Sequence, residues 1–430
     1  MKIWEKGIGI EKIVEQFTVG NDRELDMQLV KYDLQASEAH AQMLEKIGLL
    51  SPEELKSLEK SLEGMLKDLE EGKFEIGESF EDMHSKIEYV LTQETGDAGK
   101  KIHTARSRND QVLVCLHLYA KEEILIIRDK VRQLFEILIS LSERHKEVII
   151  PGYTHLQAAM PNSFGLWFGA YAESLVDDLY FLKAAFKVAD QNPLGSAAGY
   201  GSSFPIDRKY TTDKLGFSDL KYNSVAAQMS RGKMEKSMAF AMASIGGTLS
   251  KLSMDICLYM SQNFNFLSFP DTYTTGSSIM PHKKNPDLFE LVRARGNRLQ
   301  ALPVEIMQIT NNLPSGYHRD FQLLKESLLR GVTDLKACLE ILIDSLKKVK
   351  VNTDVIHDPK YDMIYTVEVL NQAVQEGVPF REAYRRVADS IADGSYVPEK
   401  ELKHVHEGSI GNLCSEEIVA KFDEALVFED

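Results

Sequence analysis

Residues 109–150 read NDQVLVCLHLYAKEEILIIRDKVRQLFEILISLSERHKEVII, without a single Gly or Pro. Ile124, Ile127, Val131, Leu134, Leu138 and Leu141 keep three-and-four spacing, the period of a helix with a buried face. The run predicts a helix of about 35 residues, roughly 50 Å long at about 1.5 Å per residue.

Working outward, the same period recurs. Leu166, Phe168, Tyr171, Leu175, Leu179, Leu182 and Phe186 mark a second long helix over 162–190. Residues 234–264 are apolar nearly all round, as a helix buried on every side should be. Residues 286–311 and 320–350 add two more. Five long helices with almost no period-two alternation predict an all-α bundle. Helices much longer than about 25 residues suggest that subunits share one bundle, so an oligomer is expected. Upstream, one helix is predicted over 22–49, ending at Gly48. A second opens at Ser51-Pro52-Glu53-Glu54 with a Ser cap, a Pro and acids. A third covers 81–95, and the chain breaks from Gly96 to Gly99. Residues 192–206, rich in Gly, Ser and Ala, read as a mobile loop. The resulting division is 1–103 as an N-terminal helical domain, 104–353 as the long-helix bundle, and 354–430 as a small helical domain.

Composition excludes several function classes. The chain has 430 residues, 43% hydrophobic and 27% charged, with a net charge of −15. So acidic a protein is a poor partner for nucleic acid or an anionic membrane. An anionic substrate would need a local basic pocket. Cys115, Cys257, Cys338 and Cys414 are far apart without metal spacing and read as reduced thiols of a cytoplasmic protein. The start, MKIWEKGIGIEKIVEQF, carries charges through its apolar part and does not read as a secretory leader. No run of about 18 apolar residues predicts a membrane span.

Polar clusters interrupt the apolar helices at their ends: HTARSRNDQ (103–111), PGYTHLQ (151–157), GSSIMPHKKNP (276–286) and LPSGYHRDFQLLK (313–325). The third combines hydroxyls at Ser277 and Ser278, cations at Lys283 and Lys284, and Asn285-Pro286-Asp287 as a helix start with Asn at the N-cap. Together these suit a small anion, most simply a carboxylate. Alone, such a loop is usually a solvated surface segment. Likewise, a lone Arg106 or Arg108 is usually salt-bridged, and a lone His155 usually structural. Four such clusters at helix ends shift that balance toward a composite site.

The clusters also carry a resemblance. GSSIMPHKKNP resembles the signature of the fumarase/aspartase superfamily. EDMHSKIE (81–88), HTARSRNDQV (103–112), PGYTHLQ, TGSSIMPHKKNPD (275–287), YHRDFQLLKE (317–326) and GVPFREAY (377–384) together resemble the argininosuccinate lyase family, from about Phe17 to the end of the chain. The resemblance implies a cytoplasmic homotetramer of three-domain helical subunits around a 20-helix core. It implies active sites built from three subunits, no cofactor, no metal, and reversible cleavage of argininosuccinate to arginine and fumarate. The family's catalytic serine falls on Ser277 and its histidine on His155. A glutamate that orients the histidine falls on Glu290, and Lys283 supports the serine. Which of Ser277 and His155 is base and which acid stays open. Thr154, Lys283 and Asn285 match positions that hold the fumarate-side carboxylates. Arg108 and Asn109 match substrate-binding positions. Tyr317, Gln322 and Lys325 match residues that grip the arginine end, with Lys325 suited to its α-carboxylate. Asp26, Asp82 and His84 fall near the site by the same matching. The 276–286 loop is the natural lid.

Some positions depart from the family pattern. Ala105 stands where Gly is usual, His282 where Gln is usual, and Tyr384 where His is usual. Asp22 falls roughly where a substrate-contacting Ser is common. NSVAAQMSRGK (223–233) lacks the acids that relatives carry there. These changes bear on the arginine end and leave Ser277, His155 and Lys283 untouched. They keep two alternatives in view: a sister lyase acting on another N-substituted aspartate, and a non-catalytic protein on the same fold, as some lens crystallins are.

Overall fold

The computed structural model describes residues 11–428. Residues 1–10, most of the stretch read above for a leader, lie outside the described residues. In chain order the helices are α1 Lys12–Val19, α2 Asp22–Asp26, α3 Val30–Lys46, α4 Pro52–Glu70, α5 Met83–Thr95, α6 Asp97–Lys101, α7 Arg108–Arg144, α8 Phe164–Ala189, α9 Arg208–Lys214, α10 Ser224–Met229, α11 Lys233–Met260, α12 Asp287–Thr310, α13 Leu324–Leu346, α14 Thr366–Gln375, α15 Phe380–Ala392 and α16 Ser415–Leu426. Strands β1 Ile149–Thr154 and β2 Gln157–Ser163 form an antiparallel hairpin. The other strand pairings among the described residues are two residues long. The fold is all-α, as the helical period predicts.

α7 has 37 residues, about 55 Å of helix at about 1.5 Å per residue. Its six periodic apolar residues, Ile124 through Leu141, are all buried. α4 begins with the full capping box: Ser51 Oγ accepts from Glu54 N, and Glu54 reaches back to Ser51 N at 2.9 Å. α5 is capped by Asp82, which accepts from Ser85 N at 2.8 Å.

The helix predicted over 22–49 is two helices. Between them the backbone tightens to three-residue bonds, Gln28 N to Leu25 O at 3.1 Å and Leu29 N to Asp26 O at 2.7 Å. Asp26 is thereby buried, with its carboxylate accepting from Met83 N at 3.1 Å. The break at 96–99 holds the short helix α6. Gly99 is there because a Cβ would lie 2.5 Å from the Leu91 backbone.

The chain separates into two compact units. One comprises the chain through Ile127, Phe181–Ala243 and Leu299–Asp334; the other comprises Arg128–Tyr180, Ser244–Arg298 and Leu335 onward. Each of the five long helices gives residues to both. In the first unit Leu29, Leu34, Leu58, Met83, Leu91 and Val114 are buried. The 192–206 loop is held there by Asp110, whose carboxylate accepts from Gly195 N at 3.0 Å and Ala197 N at 2.9 Å. In the second unit Phe164, Phe168, Leu249, Ile256, Phe266, Phe289 and Leu339 are buried. α11 and α12 touch there: a Cβ at Gly296 would stand 2.5 Å from the Gly246 carbonyl oxygen. No helix among the described residues is long and apolar enough to cross a membrane.

Candidate active site

In the first unit a cavity of about 270 Å³ is lined by α2, the start of α5, the first turns of α7, Arg231 and the segment 317–325. Asp22 and Asp26 sit four residues apart, so both carboxylates share one face of α2. Lys325, in the first turn of α13, is 5% exposed. Its ammonium lies 2.7 Å from Asp22 and 2.8 Å from Asp26. A cation in a first turn opposes the helix dipole, and the two carboxylates offset that. Burial pulls the Lys325 pKa down, but Asp26 and Asp22 outweigh it and hold it above the ordinary lysine value. Burial pushes the Asp22 carboxyl up, against the pull of Lys325.

Arg108 opens α7. It contacts Glu81 at 3.2 Å and Asp82 at 3.0 Å and donates to Ser85 Oγ at 2.7 Å. Glu81 also accepts from Arg319 at 3.0 Å, and Arg319 donates to Gln322 Oε1 at 3.1 Å. The lining therefore holds four cations (Arg108, Arg231, Arg319, Lys325) against four carboxylates (Asp22, Asp26, Glu81, Asp82), with His84 besides. Balanced charge of both signs suits a ligand that itself carries both. From the lining, buried His84 reaches back to buried Asp33 at 2.9 Å, and Arg106 lies 3.6 Å from the same carboxylate. Burial pulls His84 down, but Asp33 overrides it and raises its pKa above 6.5. Burial pushes Asp33 up, but His84 and Arg106 hold it below 3.8.

Five of the sequence-predicted substrate residues therefore line one cavity: Arg108, Asn109, Tyr317, Gln322 and Lys325. Asp26, Asp82 and His84 line it too. Sequence reasoning did not single out Glu81, Arg231 or Arg319 for the site. Glu81 and Arg319 stand inside the quoted motifs, but only the fold shows that Glu81 bridges Arg108 and Arg319.

Ser277, His155, Thr154, Lys283, Asn285 and Glu290 belong to the second unit. Thr154 pairs with Gln157, which leaves His155 (φ +55°) and Leu156 (φ +59°) as a two-residue turn. Two positive φ values make this a type I′ turn, which ordinarily takes Asn and Gly. His-Leu in that place stores strain of about 1–2 kcal/mol per residue. The strain presents an exposed imidazole at the hairpin tip. Tyr153, just behind the tip, anchors the hairpin, with its hydroxyl 3.3 Å from that of Tyr361 and its ring against Phe264 and Phe266.

Ser277 is half-buried, and its Oγ accepts from Ile279 N at 3.3 Å and Met280 N at 3.1 Å. The loop closes through backbone bonds between Thr275 and Asn285, at 2.8 and 3.3 Å. This bridge keeps Asn285 out of the expected cap. Pro286 O accepts from Glu290 N at 3.1 Å instead, and α12 begins at Asp287. The Asn285 amide turns toward Thr275 Oγ1 and Gly276 O, 3.4 Å from each. Lys283 and Glu290 are exposed, and Glu290 lies 3.8 Å from Arg293. Lys284 pairs with Asp271 on the exposed surface.

Residues 8–300 match the model of a lyase family. Argininosuccinate lyase of Bacteroides thetaiotaomicron is 55% identical over 425 residues, 99% of this chain and 95% of that protein. The chain belongs to the argininosuccinate lyase family. A more distant relative in this family, argininosuccinate lyase of Thermotoga neapolitana, is 41% identical over 388 residues, 90% of this chain and 98% of that one. Solved structures at lower identity share its fold. An EDDS lyase in complex with formate superposes at TM-score 0.78 with 21% identity, covering 98% of this chain and 90% of that one. Class II fumarase from Schistosoma mansoni superposes at 0.75 with 17% identity, covering 96% and 94%.

Against the family pattern, Ala105 takes the left-handed conformation that glycine prefers (φ +60°). His282 and Tyr384 are exposed.

Proposed function

We propose that this enzyme cleaves argininosuccinate reversibly to L-arginine and fumarate, as a step of arginine biosynthesis, by general acid–base chemistry without a cofactor. The observation that carries this reading is the charge-balanced cavity around Lys325. Its cations suit the α-carboxylate of the arginine half, and the carboxylates of Asp22 and Asp26 suit the α-ammonium beside it.

In the proposed reaction Ser277 removes the Cβ proton of the succinyl half. Two backbone N–H groups already aim at its oxygen, and donors of this kind stabilise an alkoxide. The charge that develops spreads into the adjacent carboxylate, held by Lys283, Asn285 and Thr154. The Cα–N bond then breaks, and His155, oriented by Glu290, gives a proton to the departing guanidine nitrogen. The 276–286 loop closes over the reactants.

The subunit is proposed as a three-domain chain in a cytoplasmic homotetramer with a 20-helix core. Each site is shared among three subunits, with His155 and Ser277 supplied by different ones. Exposed apolar side chains along long helices support the association: Tyr180 and Phe181 on α8, Phe240 and Met254 on α11, Leu291, Val304 and Met307 on α12.

The test is fumarate release from argininosuccinate by wild type and Ser277→Ala. Wild type should release fumarate and arginine together, and the folded variant should lose about 10²–10⁴-fold in rate. A wild type silent on argininosuccinate but active on another N-substituted aspartate would retain the chemistry and refute the substrate.

A further inference from the structure

The segment 223–233 contains no acid, yet Arg231 within it is buried and lines the cavity. Its charge is met four residues on. Glu235, 1% exposed in the first turn of α11, lies 2.9 Å from Arg231 Nε through Oε1 and accepts from Gly232 N at 2.7 Å through Oε2. With that end fixed, Arg231 Nη2 donates to the Phe321 carbonyl at 2.9 Å. Phe321 is the centre of the tight 3₁₀ turn Arg319–Leu323, which presents Arg319 and Gln322 to the cavity and leads into Lys325. Position 232 cannot supply the acid. Gly232 is left-handed at φ +81°, and a Cβ there would stand 2.6 Å from Thr310 Cγ2.

We propose that Glu235 is a positioning residue for the arginine end of the pocket. It holds Arg231 so that Arg231 fixes the Phe321 carbonyl, and with it the turn that carries Gln322 and leads into Lys325. Glu235 is not among the cavity-lining residues, so it acts through Arg231. The proposal rests on the argininosuccinate reading above, because it assigns the 317–325 segment to the arginine half.

The experiment compares wild type with Glu235→Gln, which keeps shape and removes charge. The expected result is a rise in KM for argininosuccinate of about tenfold with kcat within about threefold. Product inhibition by arginine should weaken in parallel, and inhibition by fumarate should stay unchanged. A merely structural role would lower the melting temperature and leave both inhibition constants alone, and that result overturns the proposal. An unpaired buried Arg can prevent folding. In that event the double variant Arg231→Met/Glu235→Leu removes both charges and keeps the volume. It should fold and show the same selective loss of arginine affinity, and wild-type arginine inhibition in the folded pair overturns the proposal. A wild type silent on argininosuccinate removes the substrate reading and this inference together, whereas an active wild type with an unchanged Glu235→Gln removes the inference alone.

Discussion

At the residue scale, buried charge around the cavity ties stability to pH. His84 and Asp33 form a pair almost without solvent, 2.9 Å apart. The folded pKa of His84 lies above 6.5, so its stabilisation is full below that value and is lost as pH rises through the raised folded pKa. Asp33 is held below 3.8, so its stabilisation is present above that value and is lost as pH falls through the depressed one. The pair therefore contributes most between the two. Melting temperature should fall as pH is raised from about 6 toward 9. His84→Gln should melt lower at pH 6 and decline less steeply, so that the two curves converge at high pH. Parallel curves for wild type and variant would refute this account. Lys325 shows how far one residue could be read from sequence. Its place at the site follows from the 313–325 cluster, whereas its two carboxylate partners lie some 300 positions away and only the fold reveals them.

At the element scale, the long helices were legible because an unbroken three-and-four apolar period over dozens of residues has one good structural solution. The hairpin 149–163 was not. Its turn, His155-Leu156, lacks the Asn and Gly that mark type I′ geometry, and its strands follow a helix too closely for alternation to stand out. The cap of α12 shifted by one residue because the Thr275–Asn285 bridge competes for Asn285. The 192–206 loop read as mobile from its Gly and Ser content, but composition says nothing of the buried acceptor that meets its backbone. Asp110 joins Ser107 N at 2.9 Å to Gly195 N and Ala197 N. One carboxylate thus caps the helix that opens with Arg108 and pins the loop. Asp110→Ala should leave three N–H groups without that acceptor and cost about 2–4 kcal/mol, read from the denaturant midpoint. Limited proteolysis should then cut within 195–206 faster than in wild type. Unchanged cleavage would mean that the loop is held by other contacts, such as Gln228 to Ser196.

At the scale of the whole molecule, the chain taken alone leaves its proposed catalytic groups in the open. His155 is exposed at a strained turn and Lys283 on the 276–286 loop, although the chemistry assigned to them needs water excluded. Apolar side chains stand exposed along α8, α11 and α12 as well. Association of subunits would answer both facts at once, burying the stripes and completing the sites. Sequence could suggest such association from helix length, but a composite site is a property of the assembly and leaves no local pattern in one chain. The consequence is testable with two inactive variants. Ser277→Ala and His155→Asn each remove one exposed or half-buried group and leave the core intact, so both should fold and assemble. Each alone should be nearly silent. Co-refolded, they should regain a measurable fraction of wild-type fumarate release, because some sites in mixed oligomers draw an intact Ser277 from one parent and an intact His155 from the other. If native mass spectrometry shows mixed oligomers and activity does not return, then Ser277 and His155 of one site come from the same chain.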